Sequence, residues 1–411
     1  AFSLIFYPDQ YIIRLHLDDK RNRFSQREKR QHRKQETGTG PKKKNRMKRS
    51  ITIAGVRFRG NSLLLIFFLL LVLCVQTVPG LGDAYAMYVY PPIARVLSSF
   101  SRLVPFAIGD LFIALSIAGV LLYPVYAHCI RKQKWNRILQ KDVKYLLWVY
   151  VWFYLAWGLN YSQKNFYERT RIPYTAYTPD NFRSFTDSYI ENLNSSYTDI
   201  TSVEKELVCH ESVRVYNQIG DSLGVHRPFH QTPRAKTMLF TPLISMVGVT
   251  GSMGPFFCEF TLNGDLLPSQ YPATYAHELA HLLGITSEAE ANFYAYQVCT
   301  RSQVQAIRFS GYLSVLPHVL NNARRLMAEE EYAQLFRRIR PEIIGLAKKN
   351  SEYWMKKYNP VIGRIQDRIY DLYLKGNKIE SGRKNYSEVV GLLISYEEWK
   401  KNSIFASIMF N

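Results

Sequence analysis

The spacing of apolar residues divides this chain into a tail, a set of long apolar runs and a mixed remainder. Residues 1–59 show little apolar periodicity and would not pack a core, so a disordered tail is expected over about 1–60. Ser62–Val78 carries no charge and is long enough to cross a bilayer. Phe106–Ile130 repeats that pattern, with only Asp110 charged and close to one end. Tyr145–Leu159 is a third run, shorter but rich in the Trp and Tyr that favour membrane interfaces, with a buried core helix as the alternative.

Beyond it the period changes. Asp180 to about Gly220 reads as helix, Gly224–Thr241 as Pro-rich and irregular. Gly248, Gly251 and Gly254 punctuate an expected loop. Phe256–Leu262 then alternates as a strand, with Phe256, Cys258, Phe260 and Leu262 on one face, before an Asn263-Gly264 turn. Such a strand is either a structural hairpin or an edge that holds an extended peptide. Glu259, on its mixed face, would meet substrate or solvent. From Ala291 the chain is mostly helical. The pattern predicts an α-rich α+β protein: three N-terminal transmembrane helices over 61–160, then a mostly helical domain over 161–411 with a small β element.

Charge changes the picture in two ways. The net charge of +20 would suggest nucleic acid, but residues 1–59 hold 17 Lys/Arg against 5 Asp/Glu, so the tail carries most of the excess. No nucleic-acid partner is expected. Met47-Lys48-Arg49-Ser50 makes a natural start before an apolar run, so residues 1–46 read as an upstream extension. The Arg131–Lys144 loop is also basic, whereas Gly80–Pro105 has only Arg95 and Arg102. The positive-inside rule then places the tail and the 131–144 loop in the cytoplasm. With three spans, everything after Asn160 lies outside. Cys209, Cys258 and Cys299 would allow at most one disulfide there, and no CxxC spacing suggests a cysteine metal site.

The candidate chemistry sits at His277-Glu278-Leu279-Ala280-His281, an HExxH inside an apparent helix. Residues four apart share a helix face, so both imidazoles can meet one ion. Glu278, rotated about 100° from His277, stands beside that ion as a general base. The bland alternative is a surface helix with two solvated histidines. A catalytic zinc needs a third protein ligand and an open place for water. Gly284 can end the helix in a left-handed conformation; Ser287 can cap the next, with Glu290 at the third position of a capping box. That leaves Glu288 at the first helical position as the favoured third ligand, with Glu290 the alternative. His226 and His230 share the four-residue spacing, but Pro228 between them argues for structural or surface roles.

HExxH followed by Glu288-Ala-Glu-Ala291-Asn292 resembles the gluzincin-type zinc metallopeptidases, whose second motif is ExxA followed by Asp or Asn. The resemblance implies a zincin-like domain, zinc held by His277, His281 and Glu288, and Asn292 orienting a histidine ligand. Only residues 282–287 separate His281 from Glu288, where many gluzincins have a longer insertion. The wider pattern is similar to an uncharacterised family of bacterial membrane proteins classed as a domain of unknown function. Shared features are three spans, Trp157–Tyr161 (WGLNY), Gly254-Pro255-Phe256, HELAH with Glu290–Phe293, and Ser310-Gly311-Tyr312. Tyr312 is a candidate hydroxyl for an oxyanion, or else a packing tyrosine. The expected function is a zinc metallopeptidase of the inner membrane that cleaves peptides or proteins outside the cytoplasm. The alternative is a non-catalytic zinc-binding sensor or structural envelope protein.

Overall fold

The computed structural model describes residues 3–5, 50–53, 56–176, 178–379 and 388–409. Helix dominates, with one four-stranded sheet and a separate two-stranded hairpin, so the protein is α-rich with a small β element. Of the proposed upstream extension, only β1 (Ser3–Ile5) falls within the described residues. Within the basic tail, β2 (Ser50–Ile53) and β3 (Val56–Arg59) pair antiparallel and lead directly into the first helix.

That helix, α1 (Gly60–Thr77), starts two residues before the first expected span. After it come α2 (Leu81–Ala84), a π-helical turn and the amphipathic α3 (Tyr90–Arg102), which buries Tyr90, Ala94, Ser98 and Ser101. Gly80–Pro105 is therefore a helical brace rather than an open loop. His226 and His230 hold this brace, through Ala86 O (2.9 Å) and Ser98 Oγ (2.8 Å) respectively.

Helices α1 and α4 (Ile108–Cys129) are long and apolar enough to cross a membrane. The third expected span needs correction. Tyr145–Leu159 belongs largely to α5 (Trp135–Ala156), whose first half carries Arg137, Lys141, Asp142 and Lys144, so no long uncharged stretch remains. The helix also stops early: Trp157 leaves helical geometry, and Trp157 and Leu159 are buried in the core. Helix α5 nonetheless packs against α1 and α4. Lys144 Nζ donates to Ser62 Oγ (3.0 Å) and Lys141 Nζ to Tyr123 Oη (2.7 Å), so the basic start of α5 lies beside the start of α1 and the end of α4.

Helices α6 (Phe166–Thr170), α7 (Pro179–Ser196) and α8 (Lys205–Ile219) lead into the sheet. It contains β4 (Ala235–Thr237), β5 (Val249–Gly254) and β6 (Glu259–Leu262), with the short α9 (Thr241–Ser245) between β4 and β5. Strand order is β1-β5-β6-β4; β6 runs antiparallel to β5 and parallel to β4, and β1 pairs antiparallel along the outer edge of β5.

The glycine-punctuated stretch expected as a loop is thus strand β5. The strand expected over Phe256–Leu262 begins only at Glu259. Pro255–Cys258 form the hairpin turn, with Cys258 at φ +46°. Phe256 and Phe257 use that turn to pack on Phe112 of α4, at ring-centre distances of 4.8 and 5.7 Å. Their alternation reflects aromatic docking on a neighbouring helix, not pleat.

Helices α10 (Tyr271–Leu282), α11 (Glu288–Thr300) and α12 (Gln305–Leu326) fill the centre. Helices α13 (Glu329–Arg337), α14 (Pro341–Lys357), α15 (Pro360–Gly376) and α16 (Val389–Met409) follow among the described residues. Every residue of α10 is buried, as is α11 from Glu288 to Cys299. The five cysteines are free thiols; Cys209, Cys258 and Cys299 are buried, and burial pushes the Cys258 thiol up to about 12.

Candidate metal centre

Helix α10 carries the HExxH on its way through the core, so the surface-helix alternative fails: His277 and His281 are 0% and 1% exposed. The carbonyls at the C-terminal end of α10 need partners in a dry interior. Trp157 Nε1 donates to His281 O (3.0 Å), Tyr90 Oη to Leu282 O (2.6 Å) and Gln163 Nε2 to Gly284 O (2.7 Å). The WGLNY segment is therefore part of the cradle that fixes the end of the HExxH helix. Gly284 then adopts φ +94°, which glycine tolerates without strain. Ser287 caps α11 by accepting from Glu290 N (3.3 Å).

This tight reversal brings Glu288 back to the histidines. Glu288 Oε2 lies 3.1 Å from His277 Nε2 and 3.3 Å from His281 Nε2, and the two Nε2 atoms are 3.0 Å apart. Glu290 points elsewhere: its carboxylate pairs with Arg169. The six-residue gap suffices because the helices meet through a single left-handed residue.

Ring orientation follows from the other nitrogens. His281 Nδ1 faces Ile285 O (2.6 Å), a pure acceptor, so Nδ1 carries the proton and Nε2 presents a lone pair. His277 Nδ1 lies 2.8 Å from Asn292 Oδ1, which fixes the same tautomer. Two lone pairs and a carboxylate oxygen thus converge in a buried space, an arrangement that a cation resolves. Tetrahedral zinc at about 2.0–2.1 Å sets ligand atoms about 3.3 Å apart, close to the three separations above. The residues present fit a zinc ion. This is the one His/Cys/Asp/Glu group with metal-ligand geometry among the described residues.

Electrostatics favour a charged carboxylate here. Burial alone would raise the Glu288 carboxyl, but the His281 and His277 rings outweigh it and hold Glu288 well below the usual carboxylate range. Burial pushes His277 down. It also acts on His281, where the Glu288 charge outweighs it and raises the ring.

Glu278, 0% exposed, stands between α10 and strand β5. A Cβ at Gly251 of β5 would come within 2.4 Å of Glu278 Oε1. Glycine is what lets the strand pass over the proposed base.

Tyr312 is not brought to this centre. Its ring packs on Tyr189 and Tyr296, on the side of α12 that meets α7. Two features that reach the centre had no motif to announce them. Tyr370 Oη, from α15, donates to Glu288 Oε1 at 2.5 Å. His318 of α12 is buried near His277, and burial together with that neighbour lowers it to about 4. Glu259 also departs from expectation. It meets neither substrate nor solvent but forms a buried ion pair with Lys236 at 2.5 Å.

Fold and site together define an α-rich protein with two membrane-length helices and a buried His-His-Glu cluster. The chain belongs to a family of proteins of unknown function, DUF3810, whose model matches residues 85–394. That match includes α3, the HExxH helix, Glu288 and Tyr370. No curated protein and no solved structure matches the chain.

Proposed function

We propose that this protein is a membrane-anchored zinc metallopeptidase with a zincin-like site. The observation that carries the proposal is the convergence of His277 Nε2, His281 Nε2 and Glu288 Oε2, with Glu278 beside them under strand β5. A structural zinc site usually closes its shell with four protein ligands and has no use for an adjacent carboxylate. Zinc bound here would lower the pKa of a water molecule and polarise a scissile carbonyl. Glu278 takes a proton at its carboxylate as the water attacks, then delivers it to the leaving amine. Asn292 and Ile285 O keep both imidazoles in the tautomer that presents Nε2.

A peptide is the substrate class that the sheet favours. The outer edge of β5 already pairs with an extended segment of the same chain, with Ser3 opposite Gly251 and Ile5 opposite Val249. Substrate held along that edge would lie beside Glu278 through main-chain hydrogen bonds. In an unbiased peptide-library digest, the full chain is expected to cleave peptides, to lose that activity on chelation and to recover it with zinc. Hydrolysis indifferent to chelator would contradict the proposal.

The orientation proposed is a cytoplasmic tail and an extracytoplasmic site. It rests on the basic start of α5 lying beside the start of α1, which the basic tail precedes, while the domain meets the far end of α1 through Lys378 and Gln76. Lys348→Cys, with Cys74 and Cys129 replaced by serine, is expected to react with a membrane-impermeant maleimide in intact spheroplasts. Labelling only after permeabilisation would place the domain inside.

A further inference from the structure

Helix α15 has three faces. Gly363, Tyr370 and Leu374 point inward. Val361, Ile362, Ile365, Ile369 and Leu372 form a second stripe that is 44–71% exposed. At about 100° per residue, Arg364, Arg368 and Lys375 run along one border of that stripe, with Lys375 paired to Asp371 at 2.7 Å.

Position says what covers it. Just beyond the C-terminal end of α15, Lys378 Nζ donates to Gln76 O in the last turn of α1 (2.7 Å). There Asn377 Oδ1 also accepts from Tyr154 Oη near the end of α5 (2.8 Å). At the other end, Asn359 N donates to Met246 O (2.8 Å), just after α9. Leu239, just before α9, donates its N–H to Asp110 Oδ2 in the first turn of α4 (2.9 Å). Both ends of α15 are therefore tied to the level where the membrane-length helices end on the site side. A helix of 17 residues spans about 25 Å, so α15 lies across the end of the bundle. Leu239, Phe240 and Leu243 extend the exposed apolar surface beside its start.

We propose that the outer face of α15 is seated in the headgroup–acyl boundary of a phospholipid bilayer, making a membrane-held helix the roof of the His277–His281–Glu288 cluster. The apolar stripe enters the boundary and Arg364 and Arg368 on its border meet headgroup phosphates, the pattern of an interfacial helix. On the inner side, Tyr370 reaches Glu288, and Tyr370 and Leu374 pack with Met238, Val247 and Val249. That small cluster is distinct from the main core, which α15 meets through Tyr373, so few buried contacts hold the roof down. Substrate would then reach β5 and Glu278 from the membrane surface, which narrows the proposed peptide class to segments lying at the bilayer. The seating rests on α1 and α4 being membrane spans, not on the metal.

The test uses the full chain in nanodiscs of phosphatidylethanolamine and phosphatidylglycerol, with Cys74→Ser and Cys129→Ser. Single cysteines at Ile365 or Ile369 carry a fluorophore, and the lipid carries a nitroxide near the headgroup end of its acyl chain. Leu115→Cys and Leu121→Cys on α4 report the bilayer; Lys348→Cys reports water. Quenching at both α15 sites within about twofold of that at Leu115 is expected, with none at Lys348. Quenching at Leu115 and Leu121 but not at Ile365 and Ile369 would overturn the seating and leave the anchor intact. Absence of quenching at Leu115 and Leu121 would overturn the membrane reading itself, and the seating with it.

Discussion

Glu278→Gln is expected to keep the metal and the fold while peptide hydrolysis falls by about 10²–10⁴-fold. The substitution preserves shape and so keeps the fit beneath Gly251, where even an added Cβ would come within 2.4 Å of the carboxylate. It leaves His277, His281 and Glu288 in place, so metal content should match the wild type. What it removes is the basicity that accepts the proton from water. Turnover measured on cleaved library peptides, beside zinc content of the same preparations, separates the two. Unchanged hydrolysis would remove Glu278 from the mechanism; lost metal would show that it supports the ligands instead.

Lys236→Ala should be the most damaging change outside the metal centre, costing about 3–5 kcal/mol. Lys236 and Glu259 are both buried, and the ammonium also donates to Ser101 O (2.7 Å) and Phe106 O (2.9 Å). Glu259 Oε1 accepts from Gly109 N at 2.5 Å. This network pins β4 and β6 to the end of α3 and the start of α4. Truncating the lysine leaves the Glu259 carboxylate without its cation in a dry interior. Replacing both partners, as Lys236→Met with Glu259→Leu, should cost less than Lys236→Ala alone, because no unpaired charge then remains. Thermal unfolding of the full chain in detergent measures both. A melting temperature unmoved by Lys236→Ala would contradict the account.

The sequence made the local devices of the site legible and left its surroundings obscure. HExxH, the left-handed Gly284 and the Ser287 cap are short-range features with fixed geometry, so the reversal that returns Glu288 to the histidines could be read from a few adjacent residues. The part of Asn292, which lies against His277 Nδ1, was implied only by the resemblance to gluzincins. Tyr370 could not be read this way. It lies 82 residues beyond Glu288, on a helix whose two apolar faces give no hint of which one turns inward. Tyr312 shows the same limit: a motif hydroxyl says nothing about which side of α12 it occupies.

Glu259 was obscure for a related reason. Its partner, Lys236, sits on a strand joined in parallel register, and strand alternation cannot reveal a buried cross-strand charge. The third span failed because its Trp- and Tyr-rich run serves two neighbours. Trp152 Nε1 donates to Phe256 O (3.0 Å) at the hairpin turn, while Trp157 donates beneath the HExxH helix. Apolar composition does not separate lipid contact from contact with the domain. The strand β5 glycines were read as a loop because close approach to Glu278, rather than a turn, is what requires Gly251.

The central claim is that His277, His281 and Glu288 hold one metal ion. Zinc content of the purified full chain, measured by mass spectrometry beside His277→Ala, tests it most directly. The account predicts about one zinc per wild-type chain and loss of that zinc in His277→Ala. A wild-type chain that takes up no zinc after dialysis against it, or a His277→Ala chain that binds as much, would contradict it.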